Sequence, residues 1–361
     1  MRIMFLNCDS FKINYKKMGA GLLCALLLCG CGSEKQVENK LTDTNSTTFF
    51  AMDTVMDIQI TGDEELLTEA QQKVMALEKQ LSVTEKDSEV SGINRNKIGR
   101  LTGDGAKIFI GGMDICAATE GALDLTIYPV LKEWGFTTGE YKVPEDEEIN
   151  QLLEAVDYNK VEISDMGNDY IDIVLPDDMQ IDLGSITKGY TSQMLHDFFK
   201  ENGVESALIN LGGNVQCLGG KLTGEPWKIA IKSPFLDSKE GILGVLQAKD
   251  LAIVTSGGYE RYFEEDGKIY WHILDPSTGK PADKGLASVT IVGKDGLKCD
   301  GLSTALFVKG LDKAVEYWKS SDDFDMIIVM SNGDVHITEG IADDFALTSE
   351  YADSKLIVET R

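Results

Sequence analysis

Histidine is scarce in this 361-residue sequence, with three copies, and cysteine is placed where it can do little. Cys8, Cys24, Cys29 and Cys31 crowd the first 31 residues, leaving Cys116, Cys217 and Cys299 scattered and odd in number. No C-x-x-C pair exists, which excludes the usual zinc sites and gives no disulfide framework. The three scattered cysteines are expected to pack as small apolar residues. Positive charge is also short: 34 Lys and Arg stand against 60 Asp and Glu, a net charge of -26. Such a chain repels polyanions, and no local basic patch offsets it, so nucleic acid is excluded as a partner. Long apolar runs are missing too. Met18 to Leu28 (MGAGLLCALLL) is about half the length a spanning helix needs. What is present is a 43% hydrophobic chain with 36 glycines, able to bury a large core in one or two domains.

The N-terminus reads as a targeting segment. Lys12, Lys16 and Lys17 precede the short apolar run, and Cys29-Gly30-Cys31-Gly32-Ser33 follows it. Small residues before a cysteine resemble the lipobox of bacterial lipoproteins, which implies cleavage after residue 30 and acylation of Cys31. A plain secretory signal is the alternative. Residues 1–30 hold Arg2 and the three lysines against Asp9, so their removal leaves a charge of about -29. The expectation is an acidic body, lipid-anchored on the extracytoplasmic side of the cell membrane. Residues 31–47, polar and aperiodic, are expected to form a flexible tether, and the body to span 48–361.

From Thr48 the texture changes. FFAMDTVMDIQITG alternates as a strand does, and ELLTEAQQKVMALEKQLS carries Leu66, Leu67, Ala70, Val74, Leu77 and Leu81 at helical spacing. Strand-like MQIDLG, a helix over 186–202, strand-like SALINLGG and a strand-rich block containing WKIAIKSP, LAIVTSGGYERYF and LASVTIVG follow. A helix from about Gly301, another over 311–319 and strand MIIVMS complete the pattern. Mixed segments of this kind predict an α+β (mixed α/β) body.

Three stretches carry chemistry. In IDLGSITKGY (181–190), Ser185 suits a helix N-cap, which puts Lys188 in the first turn, with Ile186, Tyr190, Met194 and Phe198 as the expected buried stripe. Free N–H groups and a lysine there suit a phosphate, although a surface lysine on an ordinary helix has the same pattern. In CDGLSTALFVKG (299–310), Asp300, Ser303 and Thr304 can share one helical face and offer a hard cation oxygen ligands, but Asp300 could equally be an N-cap. His272 stands before the Asp275-Pro276 turn and is alone as consistent with structure as with chemistry.

Taken together, the segments AMDT (51–54), LSVTEKDSEVSGIN (81–94), EGALDLTIYPVLKEWGF (120–136), IDLGSITKGY (181–190), INLGGN (209–214), SGGYERYF (256–263), HILDPSTGKP (272–281) and CDGLSTALFVKG (299–310) resemble the ApbE family of flavin transferases, in the family's order. The resemblance implies that Met52, Ala122, Leu123, Asp124, Asp182, Lys188 and Ile273 contact FAD. It places Ser185, through a main-chain carbonyl, with Asp300 and Thr304 at magnesium-binding positions and Ser303 beside them. Three departures stand out: Asp53 replaces a usual glycine, Thr84 occupies a position often aromatic near the flavin, and Leu123 replaces a phenylalanine or methionine.

The implied reaction is Mg2+-dependent transfer of FMN from FAD to a serine or threonine of an extracytoplasmic acceptor redox protein, releasing AMP. His272 is the candidate base. Two alternatives stay open: hydrolysis of FAD to FMN and AMP at the same site, and a lipid-anchored flavin-binding protein without catalysis.

Overall fold

The apolar runs near the C-terminal half lie side by side in one sheet. The structure, a computed structural model, describes residues 44–361. Nine strands form the main sheet: β1 (Thr44–Ala51), β2 (Thr54–Thr61), β3 (Ala207–Leu211), β4 (Asn214–Leu218), β5 (Ala252–Gly257), β6 (Leu286–Gly293), β7 (Phe324–Met330), β8 (Val335–Thr338) and β9 (Leu356–Glu359). They are ordered across the sheet as they are in the chain, antiparallel throughout except for the last pair.

Alternation along the central strands explains why they read as unbroken apolar runs. Ile253, Val292, Ile327 and Val329 face one side, and Val254, Val289, Ile291 and Ile328 face the other, with both sides covered. The first side is closed by a three-stranded sheet of Trp227–Lys232, Ile242–Ala248 and Phe345–Leu347.

Eight helices are described: α1 (Glu65–Leu81), α2 (Glu89–Asn96), α3 (Gly103–Ala118), α4 (Tyr128–Glu133), α5 (Asp146–Leu153), α6 (Gly184–Glu201), α7 (Gly296–Lys309) and α8 (Leu311–Lys319). Helices α7 and α8 cover the second side through Leu302, Leu306, Phe307 and Trp318. Helix α1 seats Leu67, Ala70, Val74, Leu77 and Leu81 of its expected stripe, with Leu66 half-buried at the edge, and it joins Leu195 and Phe199 of α6 over β1 to β3. Each buried leucine there contributes about 2 kcal/mol, so a charged residue at Val74 would undo this layer. The mixed α+β body is as expected. Cys116, Cys217 and Cys299 are buried thiols, and burial pushes the first two up to about 12.

Several local expectations are corrected. The FFAMDTVM stretch is a hairpin, with Met52 and Asp53 both at positive φ in its two-residue turn. Strand β1 begins at Thr44, inside the expected tether, because Thr44 to Thr47 pair with Ile58 to Thr61. MQIDLG makes no strand beyond one bridge of Gln180 to Ile127. Its backbone is held by a side chain: Asn94 donates to Ile181 O at 2.8 Å and accepts from Ile181 N at 2.7 Å. The buried face of α6 is Ile186, Thr187, Gly189, Thr191, Ser192, Leu195, His196 and Phe199, while Tyr190, Met194 and Phe198 are only half-buried. The expected signal peptide, Cys31 and the tether through residue 43 lie outside the described residues. Among the described residues no helix is long and apolar enough to cross a membrane.

Candidate active site

Helices α6 and α7 cross at a pair of glycines, Gly189 and Gly296. A Cβ on Gly189 would sit 2.2 Å from Gly296 O and 2.5 Å from the Asp300 Cβ, so only glycine permits this approach. The contact brings Asp300 against the first turns of α6, where the Gly189 N–H donates to Asp300 Oδ2 at 2.7 Å. In a regular helix that N–H closes on the Ser185 carbonyl four residues back, so Asp300 competes with Ser185 for its proton.

This geometry corrects two expectations. Helix α6 begins at Gly184 and receives no side-chain cap, so Ser185 is its second residue and not its N-cap; Asp182 Oδ1 accepts instead from Gly184 N at 2.9 Å. Helix α7 begins at Gly296, and its N-cap is Asp295, which accepts from Lys298 N at 3.0 Å. Asp300 therefore sits in the second turn and is not a cap. The apolar Leu297 and the N-cap aspartate extend the helix one turn earlier than the 301–310 pattern indicated.

Asp300 is 6% exposed, and burial pushes its carboxyl up to about 6 against the opposing pull of Lys188 and the Gly189 N–H. The Asn214 amide nitrogen is near enough to favour the ionised form, yet it lies beyond hydrogen-bond reach of any partner. Lys188 is half-buried and has no ion-pair partner within 4.0 Å among the described residues. Its charge is nonetheless felt by Asp182, Glu260 and Asp300. Desolvation also raises half-buried Asp182 and Glu260, the latter still reaching solvent, each opposed by the site's cations.

The hydroxyls near Asp300 divide into two kinds. Ser303 is fully buried; it donates to Asp300 O at 2.7 Å and pairs with Ser256 Oγ at 2.7 Å, so its oxygen is spent on packing. Thr304 is half-buried and keeps a longer contact, 3.2 Å, to the same serine. No three His, Cys, Asp or Glu side chains converge into a metal cage among the described residues. The donor set is one buried carboxylate with an unspent oxygen, the Thr304 hydroxyl and the contested Ser185 carbonyl. All are hard oxygens, and this set fits a cation such as magnesium completed by phosphate and water.

His272 follows a separate two-stranded hairpin of Tyr262–Glu265 and Lys268–Trp271, whose Phe263 and Tyr270 pack on Trp134. The Arg261 carbonyl accepts from His272 N at 3.1 Å and from its Nδ1 at 3.2 Å. A carbonyl only accepts, so Nδ1 carries the proton and Nε2 is left with its lone pair. Burial lowers this histidine to about 4, with Arg261 and Lys188 acting the same way, so the ring is neutral at pH 7. The Phe136 ring packs edge-on against it at 6.3 Å.

The remaining expected flavin contacts differ in their freedom. Met52 is half-buried, and its N–H donates to Glu78 Oε1 at 2.6 Å. Ala122 is half-buried, but Leu123 and Ile273 point into apolar clusters, which leaves their backbones for any ligand. Asp124 is buried and fully engaged: Oδ1 accepts from Thr126 N at 2.8 Å and Thr126 Oγ1 at 2.6 Å, and Oδ2 from Tyr158 N at 3.1 Å. Thr84 is exposed and bonded to Ser82 Oγ at 2.9 Å. Glu260 and Arg261, which sit in the site's field, had no assigned role from sequence, although the SGGYERYF block contains both.

The family model described as the ApbE family matches residues 52–328. A protein of Vibrio cholerae called FAD:protein FMN transferase is 31% identical over 298 residues, covering 80% of this chain and 86% of the relative. One of the same description from Haemophilus influenzae is 31% identical, covering 83% and 90%. Among solved structures, the ApbE protein of Thermotoga maritima superposes with a TM-score of 0.76 at 30% identity, covering 84% of this chain and 99% of that one. The flavin transferase ApbE of Vibrio cholerae does so with 0.71 at 26%, covering 86% and 98%.

Proposed function

The chain belongs to the ApbE family and is an FAD:protein FMN transferase, and from that premise we propose that it joins the FMN phosphate of FAD to a serine or threonine hydroxyl of an acceptor protein, with magnesium and with release of AMP. The observation that carries this reading is the Lys188 ammonium, with no ion-pair partner within 4.0 Å among the described residues, acting on the buried Asp300 carboxylate.

The residues divide the work. Asp300, Thr304 and the Ser185 carbonyl would hold magnesium, which when bound supplies charge stabilisation to phosphate oxygens. Ser303 holds the helix turn that presents them. Lys188 attracts the diphosphate and opposes the charge that grows on it in the transition state. Met52, Asp182, Ile273 and the backbone of 122–124 line the flavin side, with Asp124 shaping that loop and Thr84 at its exposed margin. His272 Nε2 takes the acceptor's hydroxyl proton as the new O–P bond forms. The bond from phosphorus to the bridging oxygen breaks, and AMP leaves with that oxygen. No covalent enzyme intermediate is needed.

The acceptor is a redox protein displaying its hydroxyl outside the cytoplasm, and the enzyme is held there by acylated Cys31, a reading that rests on the leader sequence alone. Incubating the protein with FAD, magnesium and a candidate acceptor tests the reaction. An FMN-sized mass gain on the acceptor with matching AMP is expected. AMP without acceptor modification would make the chain a hydrolase, and unchanged FAD would make it a binder.

A further inference from the structure

Asp53 stands in the two-residue turn of the β1–β2 hairpin, and the fold has little use for an aspartate there. Its φ is 58, in the left-handed region that glycine adopts without steric cost. Its side chain is 81% exposed, and its one ion pair, to Arg261 Nη2 at 3.6 Å, is open to solvent on both sides. Exposed pairs of this length add little to stability.

Arg261 is placed differently. Its backbone carbonyl fixes the tautomer of His272, while its side chain pairs with Asp53 in the turn that carries Met52. Its positive charge is felt by Asp182, Glu260 and His272, the groups that also feel Lys188. The site thus holds two cations on separate elements, one in the second turn of α6, a turn later than the sequence pattern indicated, and one after β5. A lysine meets a phosphate as a point charge, whereas a guanidinium offers two parallel donors. With half-buried Asp182 and exposed Glu260 in its field, an unrestrained Arg261 would have other carboxylates to pair with, and Asp53 holds it at the rim in a pair weak enough to exchange.

We propose, building on the transferase reading, that Arg261 is a second diphosphate-binding cation for the flavin substrate and that Asp53 is the residue that positions it. The two phosphoryl groups are then shared between Lys188 and Arg261, and the turn beside the flavin is tied to the loop that holds His272.

Flavin binding by the full chain in EDTA, followed by quenching of flavin fluorescence, tests this without turnover. FAD is compared with riboflavin, which has no phosphate. Arg261→Ala should weaken FAD about tenfold and leave riboflavin unchanged, with Arg261→Lys between wild type and Ala. Asp53→Gly should weaken FAD about threefold, should not lower the melting temperature, and should have no further effect in the Arg261→Ala background. Unchanged FAD affinity in Arg261→Ala, an equal loss for riboflavin, or the same Asp53→Gly effect in both backgrounds would overturn the proposal. A wild-type chain that binds no FAD would overturn the transferase reading and the proposal with it.

Discussion

Asp124 and Asp300 are buried to the same degree, each 6% exposed, yet they are used in opposite ways. Asp124, in the loop after α3, accepts three hydrogen bonds from its own neighbourhood and ties 124–126 to Tyr158. Asp300, at the junction of α6 and α7, accepts one bond of ordinary length among the described residues, from Gly189, and has only the longer approach of the Asn214 amide besides. Burial raises both carboxyls. Burial alone therefore does not mark a working carboxylate. The unspent oxygen does, because a fold gains nothing from desolvating a charge that it leaves half-satisfied.

The same isosteric change at the two positions should sharpen this contrast most in catalysis. Asp300→Asn should lower FMN transfer about a hundredfold or more and raise the magnesium needed, measured by magnesium titration at saturating FAD. Asp124→Asn should stay within about tenfold of wild type below its own melting temperature, since its role is to shape a loop.

Stability should move the other way. In EDTA at neutral pH, Asp124→Asn should lose about 2 kcal/mol, because its amide nitrogen must face a donor that Asp124 now accepts. Asp300→Asn should gain up to about 3 kcal/mol, the cost of ionising a carboxyl raised from 3.8 to about 6. A raised carboxyl is penalised only where it is ionised, so wild-type stability falls as pH rises from about 4 to about 6 and is level above. The Asn variant's advantage should be full above pH 6 and gone by pH 4, as denaturant melts at several pH values would show.

Lys188→Met keeps the packing stem but removes the ammonium that opposes Asp300's burial, and FAD should bind about tenfold more weakly, measured by titration in EDTA. The smallest effect concerns Ser303, whose hydroxyl is spent within the protein. Ser303→Ala should cost about 1 kcal/mol in melting while leaving the magnesium dependence of transfer unchanged. A shifted magnesium requirement in that variant would return Ser303 to the ligand set.

Much of this contrast was legible before the structure, and the illegible part has physical causes. Periodicity located α1, α8 and the central strands because each buries a stripe or both faces. The α6 stripe was misplaced because Gly189, Thr191 and Ser192, small and partly polar, occupy the face against α7 that larger apolar residues were expected to fill. The strand at MQIDLG was misread because its partner is the side chain of Asn94, 87 residues away, which no local pattern reveals. Motifs grouped Asp300, Ser303 and Thr304 correctly on one helix, but only the packing of Ser256 separates the spent hydroxyl from the open one. The pairing of Arg261 with Asp53 is not legible in the sequence, since it spans 208 positions in the chain.

The central claim is that Asp300 is held for a ligand and not for the fold, and thermal melting of wild type and Asp300→Asn, with EDTA and then with magnesium and FAD, tests it most directly. The account predicts that the variant melts higher in EDTA and that magnesium with FAD raises the wild type well above it, so the order reverses. A variant that melts below wild type in EDTA, as Asp124→Asn should, and that responds to magnesium as wild type does, would contradict it.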